Sequence, residues 1–156
     1  MKLASSSLLN NYVELRPSPL HGFGLFAKKD IPKDTIWWKS KRSNVLLLLN
    51  HSHYRTLQES HVNDTMDNLL NIASFYGYYS AKLDSIVICL DNARYVNHSH
   101  VPNSGAPSNG DPLSSVSLRD IYAGEEITED YANYDACPWS KITCSDSFIT
   151  YRDSVA

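Results

Sequence analysis

The segment ARYVNHSHVPNSG, residues 93–105, packs Arg94, Asn97, His98, Ser99, His100 and Asn103 into ten positions directly behind the apolar run Ser85–Leu90. Polar groups beside a core strand must be satisfied internally or offered to a ligand. His98 and His100 alternate, with His51 and His53 upstream, and side chains at alternate strand positions share a face. That spacing suits a metal but also a plain strand, so the histidines alone specify no metal. A second chemical stretch is His21-Gly22-Phe23-Gly24, where glycines flank an aromatic and permit close backbone approach or positive φ. It has neither the Gly-x-x-x-x-Gly-Lys spacing of a phosphate loop nor the third glycine of a dinucleotide turn.

The elements that must hold these residues are short. Strands are expected at Tyr12–Arg16, Thr35–Trp38, Ser85–Leu90 and Leu113–Ile121, and Val45–Leu49 reads as a buried strand or helix turn. Met66, Leu69, Leu70 and Ala73 fall at i, i+3, i+4 and i+7, which predicts one amphipathic helix capped by Asp64 or Thr65. The loop Pro102–Pro112 is rich in Pro, Asn, Ser and Gly. Ten tyrosines crowd the middle and end of the chain, as suits strands and half-buried surfaces. No internal repeat is evident.

The 156 residues fit one domain able to bury a core without cross-links. A net charge of -3 argues against direct nucleic-acid binding, which favours a basic face. The longest aliphatic run is too short to cross a bilayer. Cys89, Cys137 and Cys144 make no disulfide framework, and the first residues lack the apolar core of a secretory signal, so a reducing intracellular setting is expected.

Three stretches in order, HGFGLFA, RYVNHSHVPN and GEEITEDY, resemble the SET domain, the catalytic fold of most protein-lysine methyltransferases. The phrases VELRPSPLHGFGLFAKKDIPKDTI and SLRDIYAGEEITEDY around them agree. The resemblance implies a mainly β fold of several small sheets around a knot-like core, with one or two short helices in an insert. It covers residues 12–134, with a variable insert at about 39–84, an N-terminal extension at 1–11 and a degenerate post-SET-like tail at 135–156.

Carried over position by position, it implies S-adenosyl-L-methionine as cofactor. Gly22, Phe23 and Gly24 would meet its methionine part through their backbone, Asn97 its amino-acid group through the side-chain amide, and His98 its adenine mainly through its backbone. Arg94 would support the site, and Trp139 would serve as a replacement lid over the purine. Tyr131 matches the catalytic tyrosine, with Tyr95, Tyr122 and Tyr134 as walls of the substrate channel. Glu129 occupies the position that tunes methyl number in related enzymes. The partner implied is a protein presenting a lysine, with histone tails the commonest class, which would place the chain in nucleus or cytoplasm. Many relatives bind zinc through a cysteine after Asn-His-Ser and a C-x-C-x-x-x-x-C tail. Here His100, Cys144, Asp146 and Tyr151 stand in those places, so no metal is expected. The alternative is a catalytically degenerate SET domain that binds protein.

Overall fold

The computed structural model describes residues 9–40, 46–59 and 64–140. These form two compact units, one from within 1–45 and 91–130, the other from within 46–90 and 131–156. The protein is mainly β, with several small sheets and two short helices in the insert.

In the first unit a single turn, α1 (Leu9–Tyr12), leads into β1 (Val13–Pro17), which pairs antiparallel with β2 (Phe23–Ala27) in the register Val13↔Ala27 to Pro17↔Phe23. The connecting turn closes with Ser18 N–H donating to the Gly22 carbonyl at 2.9 Å, and Gly22 takes φ +48. β3 (Ile36–Lys39) belongs to a second sheet. The first unit crosses from β2 to the later strands only through contacts far apart in sequence, and the second unit lies between them in the chain. There β4 (Leu46–Asn50), β5 (Gly77–Ser80) and β6 (Ser85–Cys89) form an antiparallel sheet of order β4-β6-β5, with α2 (His51–Glu59) and α3 (Asp64–Tyr76) after β4. Its core is Leu49, Tyr54, Ala73, Tyr79, Ile86 and Ile88. Gly77 fits because a Cβ there would stand 2.5 Å from the Ala73 carbonyl oxygen.

Back in the first unit, β7 (Asn97–His98) runs parallel to β10 (Glu126–Glu129), and β10 pairs antiparallel with β2. β8 (Ser104–Gly105) and β9 (Ser114–Ser117) complete the sheet of β3, in the order β3-β9-β8. Leu25, Ile31, Trp37, Ile121 and Ile127 are fully buried between these elements. Trp37 meets the requirement of a buried indole by donating its Nε1 hydrogen to Ser104 Oγ at 2.8 Å.

A short repeat escaped the sequence reading. Asp30-Ile31-Pro32-Lys33-Asp34-Thr35 and Asp120-Ile121-Tyr122-Ala123-Gly124-Glu125 form matching turns that hold one another reciprocally. Ile31 and Ile121 exchange both backbone hydrogen bonds, at 2.8 and 2.9 Å. Asp120 accepts from Lys33 N–H at 2.8 Å, and Asp30 accepts from Ala123 N–H at 2.9 Å. The left-handed position is Asp34 in one turn, φ +63, and Gly124 in the other, φ +89. Only the Asp-Ile pair is identical between the two, so backbone geometry carries the symmetry and composition hides it.

The other strand expectations, β9 apart, hold within a residue or two. The strand expected at Thr35–Trp38 is β3, Ser85–Leu90 contains β6, and Val45–Leu49 overlaps β4, whose Leu49 is buried while Leu48 is partly exposed. β9 is shorter than the stretch Leu113–Ile121 because the chain bends at Leu118 on its way into the turn at Asp120. The helix carrying Ala73 is α3, and the side chains of Asp64 and Thr65 lie outside the described residues. α2 was not expected. Among the described residues no helix is long and apolar enough to cross a membrane.

Candidate functional site

The polar groups of the 93–105 stretch are answered mainly by β10. Ser99 N–H donates to the Glu129 carbonyl at 3.1 Å and Asn103 N–H to that of Thr128 at 3.3 Å. The Asn103 side chain adds two bonds to the same strand, donating to the Glu126 carbonyl at 2.7 Å and accepting from Thr128 N–H at 2.9 Å. Asp91 caps the 3-10 turn Asn92–Tyr95 by accepting from Ala93 N–H at 3.0 Å, and its other oxygen accepts from Trp38 Nε1 at 3.1 Å. The stretch is therefore stitched in place from both ends.

Asn97 goes further, because its side chain joins β10 to the glycine turn before β2. It is 5% exposed, and its Nδ2 donates to the His21 carbonyl at 3.2 Å, the Phe23 carbonyl at 3.1 Å and Glu126 Oε1 at 2.7 Å. Ser18 Oγ donates to the same carboxylate at 2.8 and 2.9 Å while accepting from Leu20 N–H. Two side chains thus bear directly on the glycine turn. At Gly24 a Cβ would overlap the Glu126 carboxylate, with its Cδ at 2.8 Å, and would lie 3.1 Å from Asn97 Nδ2. At Gly22 a Cβ would meet nothing within 4 Å, so the turn is tight inside and open outside. Among the described residues Asn97 Oδ1 takes no hydrogen bond. Oxygen acceptors thus gather at an open turn: two carbonyls, an amide oxygen and a carboxylate. That set suits an ammonium group.

Beside it, Phe23 packs edge-on against Tyr95 with ring centroids 6.3 Å apart, and the Arg94 guanidinium lies 4.8 Å over the Tyr95 ring while donating to its hydroxyl at 3.2 Å. Gly22, Phe23, Gly24, Arg94, Tyr95 and Asn97, all singled out from the sequence, are joined by these contacts. The His98 side chain lies beside Asp130, with Nδ1 3.7 Å from Oδ1 and its ring edge-on to His100. Tyr122 sits on the second reciprocal turn, 61% exposed, and among the described residues no ring contact or hydrogen bond joins it to the Asn97 group. Glu129, expected to face the substrate channel, is buried and accepts from Ser104 Oγ at 2.9 Å.

Tyr131, Tyr134 and Trp139 belong to the second unit. Tyr131 opens a 3-10 turn, its ring stacked on Tyr134 at 5.7 Å, and Tyr134 stacks in turn on Tyr78 at 5.2 Å. The Trp139 ring is engaged by His51, Tyr54 and Tyr79 at 5.2, 5.4 and 5.8 Å, and its Nε1 donates to Asp84 at 3.3 Å. That packing anchors the segment after Tyr131, together with Asp135 accepting from Ala81 N–H at 2.7 Å. Burial pushes the Cys137 thiol up, away from the reactive thiolate form. Cys144, Asp146 and Tyr151 lie outside the described residues.

The Tyr79 hydroxyl donates to Asp84 at 2.8 Å, so its ionisation would set a phenolate against a carboxylate, and its pKa is pushed up to about 12. The same bond, with that from Trp139, holds Asp84 below the usual carboxylate range. A raised tyrosine pKa stabilises the fold fully below pH about 10, a contribution lost as pH climbs towards 12. A depressed carboxylate adds stability that disappears as pH falls through its titration. In a phenolate absorbance titration, Tyr79→Phe should delete one group titrating near 12. Deletion of a group near pH 10 instead would show the bond to Asp84 to be absent in solution.

Comparison with known proteins agrees with this architecture. The SET domain family matches residues 22–132. Among solved structures, a Plasmodium falciparum candidate histone methyltransferase superposes with TM-score 0.52 and 16% identity over 78% of this chain and 94% of that one. The Chaetomium thermophilum Polycomb Repressive Complex 2, in an autoinhibited conformation bound to S-adenosylmethionine, gives 0.53 and 20% over 92% of this chain and 17% of that one. An inhibitor-bound humanized mutant of that complex gives 0.53 and 20% over 80% and 15%. The chain therefore spans less than a fifth of the Polycomb chains it matches. No curated protein matches it in sequence. With the family match covering the glycine turn, the Asn97 node and Tyr131 alike, this chain belongs to the SET-domain family.

Proposed function

We propose that the chain is an S-adenosylmethionine-dependent protein-lysine N-methyltransferase, with histone tails the first substrate class to try. The observation that carries this reading is the convergence of Asn97 and Glu126 on the turn of Gly22, Phe23 and Gly24. When bound, S-adenosylmethionine supplies a methyl group on a positively charged sulfur. The acceptors at this turn fit its ammonium, and the open face at Gly22 leaves room for the backbone to approach it. Asn97 would orient the amino-acid end through Oδ1, and the Glu126 carboxylate would complement its positive charge. The neighbour bound to S-adenosylmethionine supports the same cofactor.

Tyr131 would act on the acceptor lysine. A phenol titrating near about 10 is a poor base at neutral pH, so its hydroxyl would orient the amine and the transferring methyl for in-line displacement instead. The lysine must arrive neutral, and tyrosine walls such as Tyr134 favour this by desolvating its ammonium.

The test is transfer of labelled methyl to histones and cell-extract proteins, with calorimetry of cofactor binding to the wild type and Asn97→Ala. Expected are label on lysine and at least about tenfold weaker binding by the variant, as for a lost hydrogen bond to a charged group. A wild type that binds cofactor but transfers no methyl to any of these proteins would favour the protein-binding reading. One that binds no cofactor would refute the assignment of Gly22, Asn97 and Glu126.

A further inference from the structure

We propose that His98, His100 and Asp130 form a binding site for a divalent transition metal of the zinc type, apart from the glycine turn. The ligand atoms of the three side chains all lie within 4.8 Å of one another, and His98 Nδ1 is 3.7 Å from Asp130 Oδ1. Donors around a tetrahedral zinc, each about 2.0–2.1 Å from the ion, are separated by about 3.3 Å. The His98–Asp130 pair is thus near bonding geometry already. The exposed His100 needs only side-chain rotation to close the set, since its ring stands edge-on to that of His98 with centroids 4.5 Å apart.

The backbone fixes this arrangement. β7 runs parallel to β10 in the register Glu129↔His98, and Ser99 N–H holds the Glu129 carbonyl. His98 therefore stands beside the end of β10, where Asp130 follows, and the bend just past β7 brings His100 to the same two side chains. Two imidazoles and one carboxylate suit zinc, cobalt or nickel, whereas calcium and magnesium take oxygen shells. Three protein ligands leave the fourth position to water. The bound ion would clamp β7 to β10 at Asp130, the residue bonded directly to Tyr131.

This site differs from a zinc held by His100 with Cys144 and Asp146 in the tail, and one experiment separates them. The full chain, stripped with chelator, is titrated with Zn²⁺ against a chromophoric competitor and with Co²⁺ by visible absorption. The expected result is one equivalent bound, a tetrahedral Co²⁺ spectrum without a thiolate charge-transfer band, and affinity at least about tenfold weaker in His98→Ala and in Asp130→Asn. Cys144→Ser should bind as the wild type does. Circular dichroism checks that each variant is folded, and His98→Gln replaces His98→Ala if the latter is not. The proposal is overturned if the wild type binds no equivalent. It is equally overturned if Cys144→Ser abolishes binding while His98 and Asp130 variants retain it.

Discussion

Tyr131→Phe should lower methyl transfer by about a hundredfold or more while leaving cofactor affinity and thermal stability near wild type. The ring of Tyr131 stacks on Tyr134, which stacks on Tyr78, and phenylalanine keeps those faces in contact. What disappears is the hydroxyl alone. A single preorganised polar group at a developing charge is worth about a hundred- to a thousandfold in rate, and orientation of the attacking amine adds to it. The measurement is single-turnover transfer beside calorimetry and a melting curve. Unchanged transfer would remove Tyr131 from the catalytic role, and a lower melting temperature would show that the hydroxyl serves the fold.

Gly24→Ala should cost more than its one added methyl suggests. The new Cβ would overlap the Glu126 carboxylate, so the carboxylate must swing away from Ser18 Oγ and Asn97 Nδ2. Asn97 then loses its shortest hydrogen bond and its fixed orientation towards the His21 and Phe23 carbonyls. Overpacking of this kind costs about 1–3 kcal/mol in stability. The effect on cofactor affinity should be larger in ratio, about a hundredfold, because every acceptor at the turn is displaced together. Gly22→Ala is the control: its Cβ would meet no atom, so it tests the strain of φ +48 without crowding. Calorimetry of both variants decides the matter. Equal losses would mean that turn conformation, and not the Glu126–Asn97 contact, governs binding.

Much of this was legible in the residues, and what was missed has identifiable physics. The glycine turn, Asn97 and Tyr131 stand in short ordered phrases, and strands rich in β-branched residues announce themselves. Glu126 did not, because its role arises only when a strand near residue 126 is laid against Gly24, through bonds that span 29 and 108 residues. Strand parity could have sorted the glutamates. Ile127 is fully buried, so Glu129, two residues on, shares its inward face, while Glu126 points to the other side. Trp139 was expected over a purine, and its ring is occupied by His51, Tyr54 and Tyr79, a cluster whose members lie up to 88 positions away in the chain and share no periodicity. The helix α2 escaped because its polar sequence HSHYRTLQE buries little beyond Tyr54.

The reciprocal turns at Asp30 and Asp120 have a consequence for how this chain tolerates change in length. They, with the bonds Trp37–Ser104 and Ser18–Glu126, join segments 67 to 108 residues apart, so folding of the first unit closes a loop made of whatever sequence lies between. The entropy of closing such a loop grows only logarithmically, and doubling its length costs about 0.6 kcal/mol. Lengthening or shortening the stretch between β3 and the 3-10 turn at Asn92 therefore leaves the closure of the Asn97 node almost unpenalised, whereas a one-residue slip in β10 would exchange Glu126 for Ile127 against Gly24 and invert both faces of the strand.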